Sequence, residues 1–459
     1  MEKTVTLKRS LGLWPIVMLG IGYMTPMSVF DTFGITAEAT NGHVPTAYVI
    51  ALIALLFTAF SYGKMVRAFP SAGSAYTYTQ KTIDPNLGFL VGWASLLDYL
   101  MIPMITALLA KIYLTAFFPG VPSWIWVVGF VLLLTSVNLM GLNTTSRLNA
   151  FLVLFQVLIT VFFIILAFHA IKNGMGYGSA FTIQPIYKPD MKFSILVTGA
   201  TILCFSFLGF DAVTTYAEET PNPTKTIPRA IFLTALIGGV IFIVTSYFVQ
   251  TAFPDDSLFR DPEAAAPEIA LYIGGKIFQI LFLSAAIAAQ LASGLSSHAS
   301  VSRILYVMGR DNILPRKFFG YVHPTFRTPF YNVILVGIVS LSALFFSLEI
   351  AVAFISFGAL IAFTFVNLSV IAHYAVKLKM YRTLKGFASY VILPLIGASL
   401  VSILWFNLEK SAFMLGIGWA SIGFIYLLYA TKFFRRNPFA VVEEEADVPR
   451  MTNLSAVEL

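Results

Sequence analysis

The stretch from Cys204 to Ile231 decides the fold, and it reads CFSFLGFDAVTTYAEETPNPTKTIPRAI. Its first half is apolar enough to lie deep in a bilayer, yet Gly209 interrupts the helix and Asp211 adds a carboxylate shortly afterwards. A charge at mid-membrane costs at least ~2.5 kcal/mol on insertion scales, so such a residue is a functional candidate. Unwound backbone is tolerated in a membrane only beside protein or a water-filled cavity. Broken helices of this kind form the midplane substrate sites of transporters, which is the function that the stretch favours.

The composition of the whole chain sets its class. Hydrophobic residues make up 58% of the 459 residues and charged residues only 11%, whereas soluble domains carry about 25% charged residues. We therefore expect an all-α polytopic membrane protein with room for roughly twelve transmembrane helices and for no large soluble domain. The net charge of +7 fits basic cytoplasmic loops under the positive-inside rule, so no nucleic-acid partner is predicted.

Apolar runs divide the chain into the predicted spans. Most of the 29 Lys and Arg residues fall in loops on the side of the N-terminus, which predicts that this side, with both termini, is cytoplasmic. Residues 432–459 lack hydrophobic content and are predicted to form a disordered cytoplasmic tail. The approximate limits of the spans are 14–37, 45–69, 87–117, 123–141, 148–171, 194–217, 229–252, 275–308, 329–347, 350–374, 388–408 and 412–431.

The first span has a break of its own. It contains VMLGIGYMTPMSVFDTFG, where Gly22, Thr25 and Pro26 oppose a continuous helix, because proline removes a backbone donor and clashes one turn back. Breaks in the first and sixth spans are what two inverted five-helix units would give, since an odd number of spans turns the second unit upside down. A simple proline kink is the alternative. The predicted organisation is a cytoplasmic tail, two inverted repeats and two further helices, at 1–13, 14–171, 194–374 and 388–431.

Several motifs carry a family resemblance, which covers the chain from about residue 7 to about residue 430. GFDAVTTYAEETPNPTKTIPRAI resembles the sixth-span signature of the amino acid, polyamine and organocation transporter superfamily. SHASVSRILYVMGRDNILP followed by HPTFRTPF resembles the exit of that superfamily's eighth span and the next loop. HVPTAY, SYGKMVRAFPSAGSAYTYTQK, VGWASLLDYL and FGALIAFTFVNLSV are similar to segments of the bacterial putrescine importers.

The resemblance implies a fold and an activity. The implied fold is the LeuT-like arrangement of five plus five inverted helices, with discontinuous helices 1 and 6 and with helices 11 and 12 outside the repeat. The implied activity is import of putrescine or a similar short polyamine across the inner (cytoplasmic) membrane by alternating access, driven by the proton motive force. An amino acid permease, or an exchanger of an amino acid for its amine, is the alternative. No enzyme, cofactor or metal is predicted, because the chain lacks a His, Cys and carboxylate cluster.

A diamine needs two acidic positions separated by apolar or aromatic walls. The acids within the predicted spans are Asp31, Asp98 and Asp211. Asp211 matches the acidic position that faces the substrate amine in the family, and Asp98 with Tyr99 is the candidate for the second ammonium. Asp31 lies beyond the first break, where receiving the amine, relaying protons and capping a helix remain open alternatives. An ion pair between Asp98 and another span also stays open.

The walls and the backbone complete the predicted site. An ammonium over an aromatic face gains ~0.5–2 kcal/mol or more when desolvated, and the aromatic residues next to the breaks are the candidates. Carbonyls freed at the breaks would also hold a cation. The first break, GYMTP, replaces the Gly-Ser-Gly element of relatives that bind amino acids, which favours an amine. The predicted wall and backbone residues are Tyr23, Phe207, Phe210, Gly22, Thr25 and Gly209.

Proton coupling and gating are predicted with less detail. Some proton-coupled relatives carry a lysine in the fifth span, where FLVLFQVLIT has Gln156. Possible proton carriers are Asp31, Asp98, Lys111, His298 and Glu349, and the sequence does not choose among them. On the cytoplasmic side, we expect either a gate latch or a static surface cluster of charges, formed by Glu218, Glu219, Lys64, Arg67 and Arg303.

Overall fold

The computed structural model describes residues 9–118, 120–189, 191–254, 265–346, 348–408 and 410–435. Within these ranges all regular secondary structure is helical. Short 3₁₀ segments occupy Ala212–Glu219, Leu341–Leu344 and Met380–Arg382, and π-helical turns occupy Ile371–Lys377 and Ala388–Ile392. The α-helices are α1 (Leu13–Met24), α2 (Ser28–Thr40), α3 (Val44–Ala68), α4 (Ser74–Thr82), α5 (Pro85–Phe117), α6 (Ser123–Leu139), α7 (Leu142–Lys172), α8 (Phe193–Phe207), α9 (Pro223–Ala252), α10 (Ala265–Arg310), α11 (Arg316–Phe319), α12 (Phe330–Ser340), α13 (Leu348–Val370), α14 (Leu384–Phe387), α15 (Leu393–Phe406) and α16 (Lys410–Ala430).

The helices confirm a polytopic helical membrane protein. Among the described residues, nine helices are long and apolar enough to cross a membrane, or ten if the bent pair α1 and α2 is one span. Two shorter apolar helices, α6 and Phe330–Leu344, coincide with predicted spans as well. Each predicted span thus overlaps a helix or a helix pair, because long apolar runs without water must satisfy their backbone hydrogen bonds internally.

The break in the first span lies at Thr25, not at Gly22. Helix α1 continues through Gly22 to Met24, and α2 begins at Ser28 with a bend of 42°. Thr25 takes φ 50° and ψ 112°, which is outside the helical region. The prediction of unwinding at Gly22 is therefore wrong, because Pro26 disrupts the backbone immediately around itself. Gly22 serves packing instead, since a Cβ there would lie 2.5 Å from the side-chain nitrogen of Asn149.

The break in the sixth span lies at Gly209, as the sequence predicts. Helix α8 ends at Phe207, Leu208 is extended and Gly209 has φ +116°. Asp211 then leads into the 3₁₀ segment Ala212–Glu219. A Cβ on Gly209 would lie 2.5 Å from Cγ of Tyr23, so glycine is required both for the backbone conformation and for contact between the two breaks.

The two ends of the chain are described in part. The backbone amides of Ser10 and Leu11 donate to the carbonyl of Glu219 at 2.9 and 3.1 Å, which ties the segment before α1 to the end of the 3₁₀ segment. The predicted disordered tail lies outside the described residues beyond residue 435.

Helix α10 begins ten residues before the predicted span 275–308, and it is kinked at Gly275, where φ is 69°.

Candidate substrate site at the two breaks

The carboxylate of Asp211 is held by two phenols. The Tyr99 hydroxyl of α5 donates to Oδ2 at 2.6 Å, and the Tyr62 hydroxyl of α3 donates to the same oxygen at 3.4 Å. Only 2% of Asp211 is exposed. Tyr99 was predicted from the sequence as a site residue, but Tyr62 was not. The clue to Tyr62 in the sequence is that it is a polar aromatic residue, in the SYGK motif, within a predicted span.

Asp98 is the second carboxyl group of the site. It is 3% exposed and lies within electrostatic range of Asp211. Its Oδ1 has no hydrogen-bond partner among the described residues. A buried ionised oxygen without a partner is costly, so this group is suited to hold either a proton or a cation.

Helix α13 packs directly on the backbone that carries Asp98. A Cβ on Gly358 would approach the backbone nitrogen of Asp98 to 3.3 Å. Because α13 and α5 are in contact at this point, a displacement of one helix would change the position of the Asp98 carboxyl group.

Tyr23 lies beside both the carboxyl pair and a small cavity. It is 4% exposed and interacts electrostatically with both Asp98 and Asp211, while its carbonyl accepts a 2.9 Å hydrogen bond from Ser293. The cavity has a volume of about 40 Å³, enough for about three water molecules. Its lining includes Tyr23, Thr25, Ser28, Asp31, Gln290 and Ser293. Neither Asp98 nor Asp211 belongs to the lining, so Tyr23 lines the cavity and also interacts with a carboxyl pair that lies outside it.

Asp31 lines this cavity, which is called the Asp31 compartment below. It lies in the first turn of α2, where a negative charge interacts favourably with the helix dipole. Its Oδ1 accepts a 2.7 Å hydrogen bond from the Tyr113 hydroxyl of α5. The predicted capping alternative is wrong, because Met27 is the N-cap residue and no side chain makes a capping hydrogen bond there.

The two predicted phenylalanines face different surroundings. Phe210 packs edge-on against Tyr62, with ring centroids 6.0 Å apart, and thus supports one of the phenols at Asp211. Phe207 packs edge-on against Phe242 of α9, with centroids 5.2 Å apart. Both rings are fully buried and outside the cavity lining.

A polar residue of α7 that reaches the broken first span is Asn149. The Asn149 amide nitrogen donates to the Met18 carbonyl at 2.7 Å, and its oxygen accepts from Ser296 of α10 at 3.1 Å. Asn149 therefore connects α1, α7 and α10. Gln156 is fully buried, and neither atom of its amide has a partner within the described ranges.

Two of the possible proton carriers bond elsewhere. Lys111 donates to the Ala343 carbonyl at 3.3 Å, and the His298 ring bonds the Val333 carbonyl at 2.8 Å. The side chain of Glu349 is outside the described residues. The remaining candidates are Asp98, which interacts with Asp211, and Asp31, which lines the cavity. Within the described chain no group of three His, Cys, Asp or Glu residues could hold a metal ion.

A buried ion pair closes the end of the 3₁₀ segment. Glu219 pairs with Arg303 of α10, both side chains are 4% exposed, and Arg303 also lies over the Tyr216 ring at 5.5 Å. Glu218 forms a second, more exposed pair with Arg310 at 2.9 Å. Arg310 was not among the gating residues predicted from the sequence.

The other two predicted gate cations lie elsewhere. Lys64 donates to the Ser389 carbonyl and lies over the Tyr390 ring at 4.8 Å. Arg67 forms no ion pair with a described residue. The predicted contact of Lys64 with Glu218 or Glu219 is therefore wrong, because its ammonium points towards the turn before α15.

Comparisons with known proteins place this geometry in a family context. The family model described as amino acid permease matches residues 15–441. The chain is 52% identical to the low-affinity putrescine importer PlaP of Escherichia coli over 442 residues, which cover 96% of this chain and 98% of the importer. It is 28% identical to the methylthioribose transporter of Bacillus subtilis and 25% identical to the branched-chain amino acid permease BcaP of the same organism, over 94% of this chain and 95% of each relative.

Proposed function

The chain belongs to the amino acid permease family, and from this premise we propose that it is a secondary transporter that imports putrescine or a similar short diamine. The observation that carries the proposal is the enclosed pair of Asp211 and Asp98, in which Oδ1 of Asp98 has no partner among the described residues. A diamine carries two positive charges on a short apolar chain. Two carboxylates would neutralise them, and the aromatic side chains of Tyr23, Tyr62 and Tyr99 would surround the chain between them.

The proposed topology has twelve spans. The nine long helices, the bent pair of α1 and α2, and the two shorter apolar helices together supply them. Spans from α1 to α7 and from α8 to α13 would form the two inverted five-helix repeats, with α15 and α16 outside. The basic loops support cytoplasmic termini and residence in the inner membrane. The contact between Tyr23 and Gly209 supports a LeuT-like site built from two discontinuous helices.

Proton coupling is proposed to run through Asp98. Two buried carboxylates close together are stable only if a proton or a cation compensates at least one of them. Without substrate, a proton on Asp98 would do so, whereas the second ammonium of a diamine would replace it. Asp31, on the other side of Tyr23, would receive the amine before it passes the ring.

Alternating access would need one closure on each side of the site. Tyr23 would close the path to the Asp31 compartment, while the pair of Glu219 and Arg303 would close the opposite end of the 3₁₀ segment. Alternating access would then require one of these closures to open at a time.

An amino acid permease or an amino acid–amine exchanger is the second candidate, because BcaP is a relative along nearly the whole chain. An alpha-carboxylate would need free backbone amides at the breaks. The large side chains of Tyr23 and Met24, both buried at the first break, support the amine instead.

The test is uptake of labelled putrescine into proteoliposomes with an alkaline interior. We expect accumulation that a protonophore abolishes and that excess alpha-amino acids leave intact. Accumulation only after loading with a counter-substrate would favour the exchanger, and strong competition by an amino acid would favour the permease.

A further inference from the structure

An open apolar groove lies on the outer surface of the helix bundle, away from the candidate substrate site. It has a volume of about 440 Å³ and is formed by α5, α13 and α16, within the range of about 300–1,000 Å³ usual for small-molecule sites. Its lining is almost entirely aliphatic and aromatic, and includes Leu87, Leu90, Ile361, Phe365, Ser421 and Phe424.

The groove is held open by a rigid wall. The indole nitrogen of Trp93 in α5 donates to the Trp419 carbonyl at 3.0 Å, and that of Trp419 in α16 donates to the Trp93 carbonyl at 2.8 Å. The two rings stack with centroids 4.8 Å apart. Because these reciprocal hydrogen bonds fix the spacing of α5 and α16, the groove is preformed and does not depend on an occupant for its shape.

Lysines stand at the same end of all three helices. Lys81 precedes α5, Lys377 ends the π-helical turn that extends α13, and Lys432 follows α16. Lys377 donates to the Lys81 carbonyl at 3.0 Å, which brings the ends of α4 and α13 together. This end is called the basic end of the groove below.

Two acids lie nearby, and both are engaged. Asp84 accepts hydrogen bonds from the amides of Asn86 and Leu87 at 2.8 and 3.0 Å. Asp311 lies within electrostatic range of Lys81 but is bonded to Arg310 and to Tyr76. Lys377 and Lys432 are exposed, and with Lys81 these three lysines outnumber the two acids, so the basic end carries net positive charge.

We propose that this groove binds a phospholipid with an anionic headgroup, its acyl chain between α5, α13 and α16 and its phosphate at the basic end. The apolar lining suits an acyl chain, and the lysines that lie beyond the lining at the basic end suit the phosphate of such a lipid. The proposed topology assigns the basic end to the cytoplasmic leaflet, but binding itself does not rest on the transported substrate.

The lipid would contact the helix that carries the candidate site. Ala94 lines the groove, and it precedes Asp98 by one turn of α5. A Cβ on Gly358 of α13 would approach the Asp98 backbone nitrogen to 3.3 Å. An acyl chain between α5 and α13 would therefore stabilise the packing of the two helices beside the Asp98 carboxyl group.

The test uses the full-length protein released from nanodiscs that contain equal amounts of phosphatidylglycerol and phosphatidylethanolamine, with native mass spectrometry as the readout. We expect phosphatidylglycerol to be retained in preference to phosphatidylethanolamine. The double variant Lys81→Gln/Lys377→Gln should lower its retention at least about five-fold, since a lysine near an anionic lipid contributes about that factor. Ser421→Trp should lower the retention of both lipids, because the indole would fill the groove from an exposed position.

Matched controls separate these effects from general changes. Lys172→Gln/Lys410→Gln removes two charges at the opposite end of the bundle, and Leu132→Trp adds an indole on an exposed surface of α6; both should leave retention unchanged. Equal retention of the two lipids, or unchanged retention in both groove variants, would overturn the proposal. The proposal would also be overturned if the unmodified protein is a dimer and the Ser421→Trp variant is a monomer. That result would show that a second copy of the chain covers the groove. None of these measurements requires transport, so their failure is distinct from failure of the proposed function.

Discussion

At the scale of single residues, the two buried carboxyl groups differ in their partners. Asp211 receives hydrogen bonds from Tyr62 and Tyr99, whereas Oδ1 of Asp98 receives none among the described residues. Hydrogen bonds to the charged form favour ionisation. Asp211 is therefore the better stabilised carboxylate of the two, and Asp98 is the better candidate for the exchangeable proton of the proposed coupling.

The first prediction removes the charge of Asp211. In Asp211→Asn the amine would lose its ionic partner in a buried site, which costs about 3 kcal/mol or more, and uptake should fall at least about 100-fold. Uptake into proteoliposomes measures the effect, and an unchanged elution profile on size-exclusion chromatography shows that the variant is folded. Uptake close to that of the unmodified protein would remove Asp211 from the site.

The second prediction compares the two phenols. Hydrogen bonds to charged groups contribute about 1.5–3 kcal/mol, and the bond from Tyr99 at 2.6 Å is much shorter than that from Tyr62 at 3.4 Å. Tyr99→Phe should therefore raise the KM for uptake by about ten-fold or more, and Tyr62→Phe by less than about five-fold. The two variants control for each other, since each loses one hydroxyl. A larger rise in KM for Tyr62→Phe than for Tyr99→Phe would contradict the geometry.

At the scale of helices, the breaks were predictable because they are local. Pro26 and Gly209 act on their own backbone, and Asp211 is conspicuous in an apolar run. Contacts between helices were not predictable, because Tyr62, Asn149 and Arg310 meet partners far away in the sequence. Asn149 illustrates this limit: it is one of several polar residues in its span, and only packing places it beside Gly22.

The third prediction concerns the break in the sixth span. Gly209→Ala would place a side chain at φ +116° and against the Tyr23 ring, with a cost of about 1–3 kcal/mol for the backbone alone. We expect a lower midpoint of thermal unfolding, together with loss of uptake. Gly418→Ala in α16 is the matched control, because its Cβ would meet no atom within 4 Å. Equal stability of the two variants would show that the break does not require glycine.

At the scale of the whole molecule, two ion pairs of different burial join the 3₁₀ segment to α10. Glu219 and Arg303 are 4% exposed, whereas Glu218 and Arg310 are 18% and 27% exposed. Breaking a buried pair by removing one partner costs about 3–5 kcal/mol, whereas a pair with more access to water contributes less, because the solvent screens its charges. The buried pair is therefore the stronger candidate for the latch that closes this end.

The fourth prediction tests that latch by hydrogen–deuterium exchange. Glu219→Gln leaves Arg303 without its charged partner, so the amides of Ala212–Glu219 and of Ser10 and Leu11 should exchange at least about ten-fold faster. Glu218→Gln serves as the control and should change exchange by less than about five-fold. Equal exchange in both variants would mean that the buried pair is a static contact.

The hydrogen bonds from Ser10 and Leu11 to the carbonyl of Glu219 also bear on how the protein is made. Roughly two hundred residues separate these partners along the chain, which a ribosome needs about 10–40 s to add. These two hydrogen bonds can therefore form only after Glu219 has been synthesised, so the segment before α1 reaches its final position late in biogenesis. A chain whose synthesis stops before Glu219 would lack this connection between its first segment and the end of the 3₁₀ segment, and so could not complete the closure proposed for that end.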